Sequence, residues 1–111
     1  MTFRRRAAVL AAGGAGALLL VIGSPVTASA ASTYTTANVT LNIRSGPGTG
    51  YSIVGTLPGS SKVPLYCQTP STTVTGTYGT SNIWDNISSG EYISDAYVDT
   101  GSDGYVTSRC G

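Results

Sequence analysis

The sequence predicts a small all-β domain, a sandwich or a barrel. Three observations carry this. Turn-forming residues recur roughly every 8–12 positions. The short segments between them alternate apolar and polar residues. Beyond residue 30, no long stretch shows a helical period.

The first element is not part of that domain. Arg4-Arg5-Arg6 is a positively charged start, Ala7 to Ile22 is uncharged, and Ala28-Ser29-Ala30 is a small-x-small cleavage site. That order predicts a secretory signal peptide over residues 1–30 and a mature domain over 31–111. The apolar run is shorter than the ~20 residues a spanning helix needs. Gly13, Gly14, Gly16, Gly23 and Pro25 weaken its helicity further. The paired arginines leave Sec and Tat export both open. The mature protein is expected outside the cell, and associated with the wall if it binds there.

Ser32 to Ala37 reads as a polar lead-in. Asn38 to Ile43 alternates, with Val39, Leu41 and Ile43 on one face, as in a half-buried strand. Arg44 to Gly50 holds three glycines and a proline and reads as a loop. Tyr51 to Leu57 predicts a helical turn passing into a short strand. Pro58-Gly59-Ser60-Ser61 turns the chain. Lys62 to Cys67 alternates again; Pro64 has no N–H and belongs at an edge or a bulge. Thr72 to Thr75 and Tyr78 are β-prone. Ile83 to Ile87 and Glu91 to Ile93 form a hairpin around Ser88-Ser89-Gly90. Tyr105-Val106-Thr107 predicts a last short strand before Cys110.

Loss of residues 1–30 removes three of the six basic side chains. Arg44, Lys62 and Arg109 then face Asp85, Glu91, Asp95, Asp99 and Asp103, a net charge of 3 − 5 = −2. This gives no basic track for nucleic acid or anionic lipid. A domain this small often needs a covalent staple. Cys67 and Cys110 are the only cysteines, and export permits them to pair. With no histidine and no CxxC spacing, a metal-binding or reactive pair is the weaker reading.

Leu41-Asn42-Ile43-Arg44-Ser45-Gly46-Pro47, then Tyr51, Ile53-Val54-Gly55 and Leu57, resembles the opening of bacterial SH3 (SH3b) domains. Trp84, Ile87, Gly90, Tyr92-Ile93, Ser94 and Tyr97-Val98 are similar to that family's closing strands. The resemblance covers roughly Ala37 to Val98. It implies an SH3-like, partly open barrel of five to seven short strands, here with one disulfide. It also implies a module that binds peptides or cell-wall peptidoglycan. Two features depart from the pattern: the long Thr/Gly-rich stretch Thr69 to Asn82, and the extension 99–111.

Val98-Asp99-Thr100-Gly101-Ser102 shares its letters with the aspartic-protease signature. Such a site needs two carboxylates sharing a proton, with supporting strands after the motif. Only twelve residues follow Asp99, and Asp, Gly and Ser at this density favour a tight turn. Asp99, Asp103 and Gly104 fit positions of a calcium loop, but Gly101 and Cys110 stand where further ligands are required. Without histidine, Ser-His and Cys-His nucleophile systems are excluded. Glu91 and Asp95 are the nearest candidates for a paired acid and base; solvated surface charge is the plainer reading. Gly46 to Gly50 lacks the Lys-Ser/Thr pair of a phosphate loop. The expectation is a non-catalytic monomer without cofactor.

The aromatic residues carry the better signal. Hairpin geometry places Trp84, Asn86, Tyr92 and Ser94 on one face and Ile83, Ile87 and Ile93 on the other. With the isoleucines inside, Trp84 and Tyr92 point outward. Together with Tyr51, Tyr97 and Arg44 they would form an aromatic groove for a peptide or peptidoglycan, Arg44 meeting a carboxylate. The alternatives are that Trp84 covers an open barrel end and that Arg44 ties down the loop. On this geometry Asp85 falls on the core side and needs a rim position or a partner in Arg44 or Arg109. The alternative function is a secreted structural or protein-interaction factor without wall affinity.

Overall fold

The structure is a computed structural model that describes residues 31–111. The expected signal peptide, residues 1–30, lies outside the described residues. Eight strands follow in order: β1 (Ser32–Thr36), β2 (Leu41–Arg44), β3 (Ile53–Leu57), β4 (Lys62–Leu65), β5 (Cys67–Gly76), β6 (Gly79–Ser88), β7 (Glu91–Ser94) and β8 (Val98–Asp99). A 3-10 turn, Asp95–Tyr97, links β7 to β8. The all-β expectation holds. No helix among the described residues is long and apolar enough to cross a membrane.

The strands form two antiparallel sheets, ordered β3-β2-β7-β6-β5 and β4-β1-β8. Leu41, Ile43, Ile87 and Ile93 of the larger sheet meet Val63, Leu65 and Val98 of the smaller one. Tyr34, Leu57, Tyr97 and Val106 close the margins of this core. Each such side chain contributes roughly 1.5–3 kcal/mol by leaving water. The result is a small barrel-like fold with open edges. Pro64 sits on β4, an edge strand, where its missing N–H costs no ladder bond.

Several elements differ from the sequence expectation. Residues 32–36 are not a lead-in but the central strand of the smaller sheet. Their sequence, Ser-Thr-Tyr-Thr-Thr, is β-prone yet has no apolar alternation to reveal it. Val39 precedes β2 and is 40% exposed, so only Leu41 and Ile43 of the proposed apolar face enter the core. No helical turn precedes β3. Tyr105 to Thr107 forms no strand: the segment is held by side-chain bonds and a bridge between Gln68 and Arg109.

Cys67 and Cys110 form the expected disulfide, with Cα atoms 4.9 Å apart. It ties the extension 99–111 to the start of β5.

Candidate functional site

The outward face of the larger sheet carries the candidate groove. Along β2, Leu41 and Ile43 turn inward, so Asn42 and Arg44 turn outward. The β6–β7 register sets Trp84 opposite Ser94 and Asn86 opposite Tyr92, and β2–β7 pairing sets Arg44 opposite Tyr92. Directly paired residues share a face, so the expected set Trp84, Asn86, Tyr92 and Ser94 is together. A groove of about 350 Å³ opens on this face, with Val39, Asn42, Arg44, Val74, Trp84 and Tyr97 among its lining residues.

Trp84 requires a correction. It was expected to stand outward, yet it is 2% exposed. Ile83, Ile87 and Ile93 are buried as well, so both faces of β6 are covered at this point. The cover comes from the Thr-rich stretch. The β5–β6 register slips between Pro70 and Val74, so Ser71, Thr72 and Thr73 bulge out of the ladder. The indole Nε1 donates to the Thr72 carbonyl at 2.9 Å. Thr49 N of the glycine-rich loop donates to Thr72 Oγ1 at 3.3 Å, joining loop and bulge. The indole is therefore the deep wall of the groove rather than an exposed platform.

Two other expected members are placed elsewhere. Tyr51 is half-exposed and lies over Gly46, where a β-carbon would run into its ring. Tyr92 stands on the groove face beside Arg44 but does not line the groove. Tyr97 does line it, its ring packed against Gly76 of β5. Arg44 Nη1 donates to the carbonyls of Thr49 (3.2 Å) and Tyr51 (3.1 Å). That is the loop-tying role. A guanidinium has five donors, so these two bonds leave Nη2 and Nε uncommitted by them.

Asp85 also requires correction. It is 0% exposed and pairs with neither Arg44 nor Arg109. Gln68 lies directly opposite it on β5 and donates from Nε2 to Asp85 Oδ1 at 2.7 Å. The same Nε2 reaches Asp95 Oδ1 at 3.3 Å. Arg109 instead stacks over Tyr105, 3.4 Å from the ring centroid. Burial, then the hydrogen bond and charge of Asp95, push the Asp85 carboxyl up to about 9. Burial also raises Asp95, while its hydrogen bonds to Asp85 and Gln68 act the other way. The carboxylate pair of this molecule is thus Asp85 with Asp95, not Glu91 with Asp95. Sequence reasoning missed it because Gln68, its organiser, carries no local motif.

Asp99 ends β8 and is exposed. Beyond it Thr100 Oγ1 donates to the Ser102 carbonyl (2.9 Å), Gly104 N donates to Ser102 Oγ (3.0 Å), and Gly101 adopts φ 78°. This is a turn built by hydroxyl side chains, and its left-handed residue favours glycine. Among the described residues no group of three or more His, Cys, Asp or Glu is placed to hold a metal ion.

No known family model matches the chain. Two curated Bacillus subtilis (strain 168) proteins do. "Uncharacterized protein YraI" is 48% identical over 84 residues, covering 68% of this chain and 71% of the relative. "Uncharacterized protein YraJ" is 50% identical over the same length and shares. The chain belongs to the YraI and YraJ family. Neither relative's name states an activity, so the chemistry of this family member is argued from its groove. A lining that joins Val39, Val74, Trp84 and Tyr97 with the guanidinium of Arg44 suits an amphiphilic, partly anionic ligand.

Proposed function

We propose that this protein is an exported, non-catalytic SH3b-like module that binds a peptide, such as the stem peptide of cell-wall peptidoglycan. The observation that carries the reading is the groove itself, lined by Val39, Val74, Tyr97 and Arg44 over the buried Trp84. Val39, Val74 and the ring of Tyr97 would hold aliphatic parts of the ligand, and the uncommitted donors of Arg44 would meet a carboxylate. The disulfide supports an oxidising, extracytoplasmic location.

Co-sedimentation of residues 31–111 with purified peptidoglycan tests the reading. Trp84→Ala is a poor probe because the indole is buried. Val39→Asp changes an exposed wall residue, and Arg44→Gln removes the cation. Each is expected to weaken binding about fivefold or more. No sedimentation of the wild type, or full binding by both variants, overturns the groove. The second reading, a secreted interaction factor without wall affinity, is favoured by the structural partners of Arg44 and Trp84. It predicts the first of those outcomes.

A further inference from the structure

The start of the C-terminal extension and the tip of the β5–β6 hairpin enclose a second cavity, of about 180 Å³. It shares no lining residue with the groove. The 3-10 turn and its N-cap stand between the two: Ser94 and Tyr97 line the groove, whereas Asp95 and Ala96 line the cavity. The hairpin contributes Tyr78, Thr80 and Ser81, and the end of β8 with the turn after it contributes Val98 to Asp103.

These segments are held in place before any ligand arrives. Tyr78 N donates to the Ala96 carbonyl at 2.9 Å, tying the hairpin to the 3-10 turn. Thr100 N donates to the Val98 carbonyl at 3.0 Å, and Thr100 Oγ1 to the Ser102 carbonyl at 2.9 Å. A site that is already ordered loses little freedom on binding.

One lining carboxyl is buried and only half used. Asp95 is 5% exposed, and Gln68 Nε2 reaches its Oδ1 at 3.3 Å. No amide N–H and no serine, threonine or tyrosine hydroxyl among the described residues reaches Oδ2. Unlike Asp85 Oδ2, this oxygen is not sealed in the interior. It is an acceptor left open to the cavity, and an acceptor in such a place calls for a donor.

The rest of the lining narrows what that donor belongs to. Carboxyls and hydroxyls surround the space, and none of Arg44, Lys62 or Arg109 lines it, so an anion meets no counter-charge there. Among the described residues no acidic group is assembled to hold a metal ion. An excess of acceptors suits a ligand rich in O–H donors. Tyr78, 47% exposed, adds a ring against which a C–H surface can lie. A sugar ring has both features, hydroxyls at its edge and C–H groups on its face. The volume is below the roughly 300–1,000 Å³ of pockets for drug-sized ligands and suits a single ring.

We propose that this cavity binds one neutral sugar unit of a glycan, with sugar hydroxyls donating to Asp95 and Asp99 and the C–H face on Tyr78. The site is independent of the groove. If both are occupied, one molecule holds a sugar and a peptide on either side of the 3-10 turn.

The test is an NMR titration of the isotope-labelled protein with cellotetraose, maltotetraose and tetra-N-acetylchitotetraose, each to about 10 mM, the weak end of specific binding. At least one of them is expected to shift the amides of Tyr78, Thr80 and Thr100 to Asp103 with a saturating curve. Tyr78→Ala and Asp99→Ala alter exposed side chains, so the fold is kept, and each is expected to weaken that binding about fivefold or more. Arg44→Gln, in the groove, is expected to leave it unchanged, which separates this site from the peptide reading. No shift at the cavity with any of the three sugars overturns the proposal. Equal binding by both cavity variants overturns it as well. Lysine methyl ester, a small organic cation, is titrated in parallel; tighter binding of it than of every sugar would assign the cavity to cations and overturn the sugar reading.

Discussion

At the scale of single residues, the indole of Trp84 has two attachments that separate cleanly. It fills space beneath the Ser71–Thr73 bulge, and it donates one hydrogen bond to Thr72. Trp84→Phe keeps most of the volume and is expected to cost about 0.5–1.5 kcal/mol, the value of one hydrogen bond. Trp84→Ala is expected to cost about 3–5 kcal/mol, because the cavity adds to lost burial. Urea denaturation of both variants measures the difference. Gly46 is the second informative residue. It is buried, and a β-carbon there meets the Tyr51 ring. Gly46→Ala is expected to destabilise by about 1–3 kcal/mol through overpacking. Adding Tyr51→Ala should recover part of that loss in a double-mutant cycle, since the two groups are in contact.

At the scale of elements, β5 is the strand on which the others depend. Its first residue carries the disulfide and its second carries the clamp on the terminal segment. Its bulge covers Trp84, and Gly76 near its end seats Tyr97. The disulfide closes a loop with a sequence separation of 43. The chain-entropy account gives it about 4 kcal/mol of stability. Replacing both cysteines by serine should lower the denaturation midpoint accordingly, checked in the same urea experiment. The β6–β7 hairpin has a register slip between Asn86 and Ser88, so Glu91 pairs with Ser88 rather than with Ile87. Ile87, at the slip, still faces the core in step with Ile83 and Asp85.

At the scale of the whole molecule, the buried acid pair sets how stability depends on pH. The Asp85 carboxyl has an ordinary value of 3.8 when unfolded and is pushed up to about 9 in the folded protein. Between those values the folded state holds a proton that the unfolded state has lost. Stability therefore falls as pH rises across that window and levels off above it. Asp95, raised in the same direction, acts with the same sign. Denaturation midpoints measured at about pH 5, 7 and 9 should decrease in that order in the wild type. In Asp85→Asn the decrease should be much smaller. A midpoint that stays level or rises from about pH 5 to 9 would mean that Asp85 holds no extra proton in the folded protein.

The sequence by itself determined the all-β class, the sites of most turns and the pairing of its two cysteines. It also placed Leu41, Ile43, Ile87 and Ile93 in the core and set Trp84 and Tyr92 on one face. These follow from local alternation, turn chemistry and arithmetic on two thiols. The tertiary structure decided whether that face is wet. A period of two reports which residues share a side of a strand, not what covers the side. The cover over Trp84 comes from Ser71–Thr73, a polar run whose bulge has no apolar pattern to announce it. The same holds for Asp85, whose fate depends on Gln68 across the ladder and Asp95 beyond the next strand. A charge on the core side of a strand reads as an error until its partners, distant in sequence, are brought beside it; only the folded chain does that.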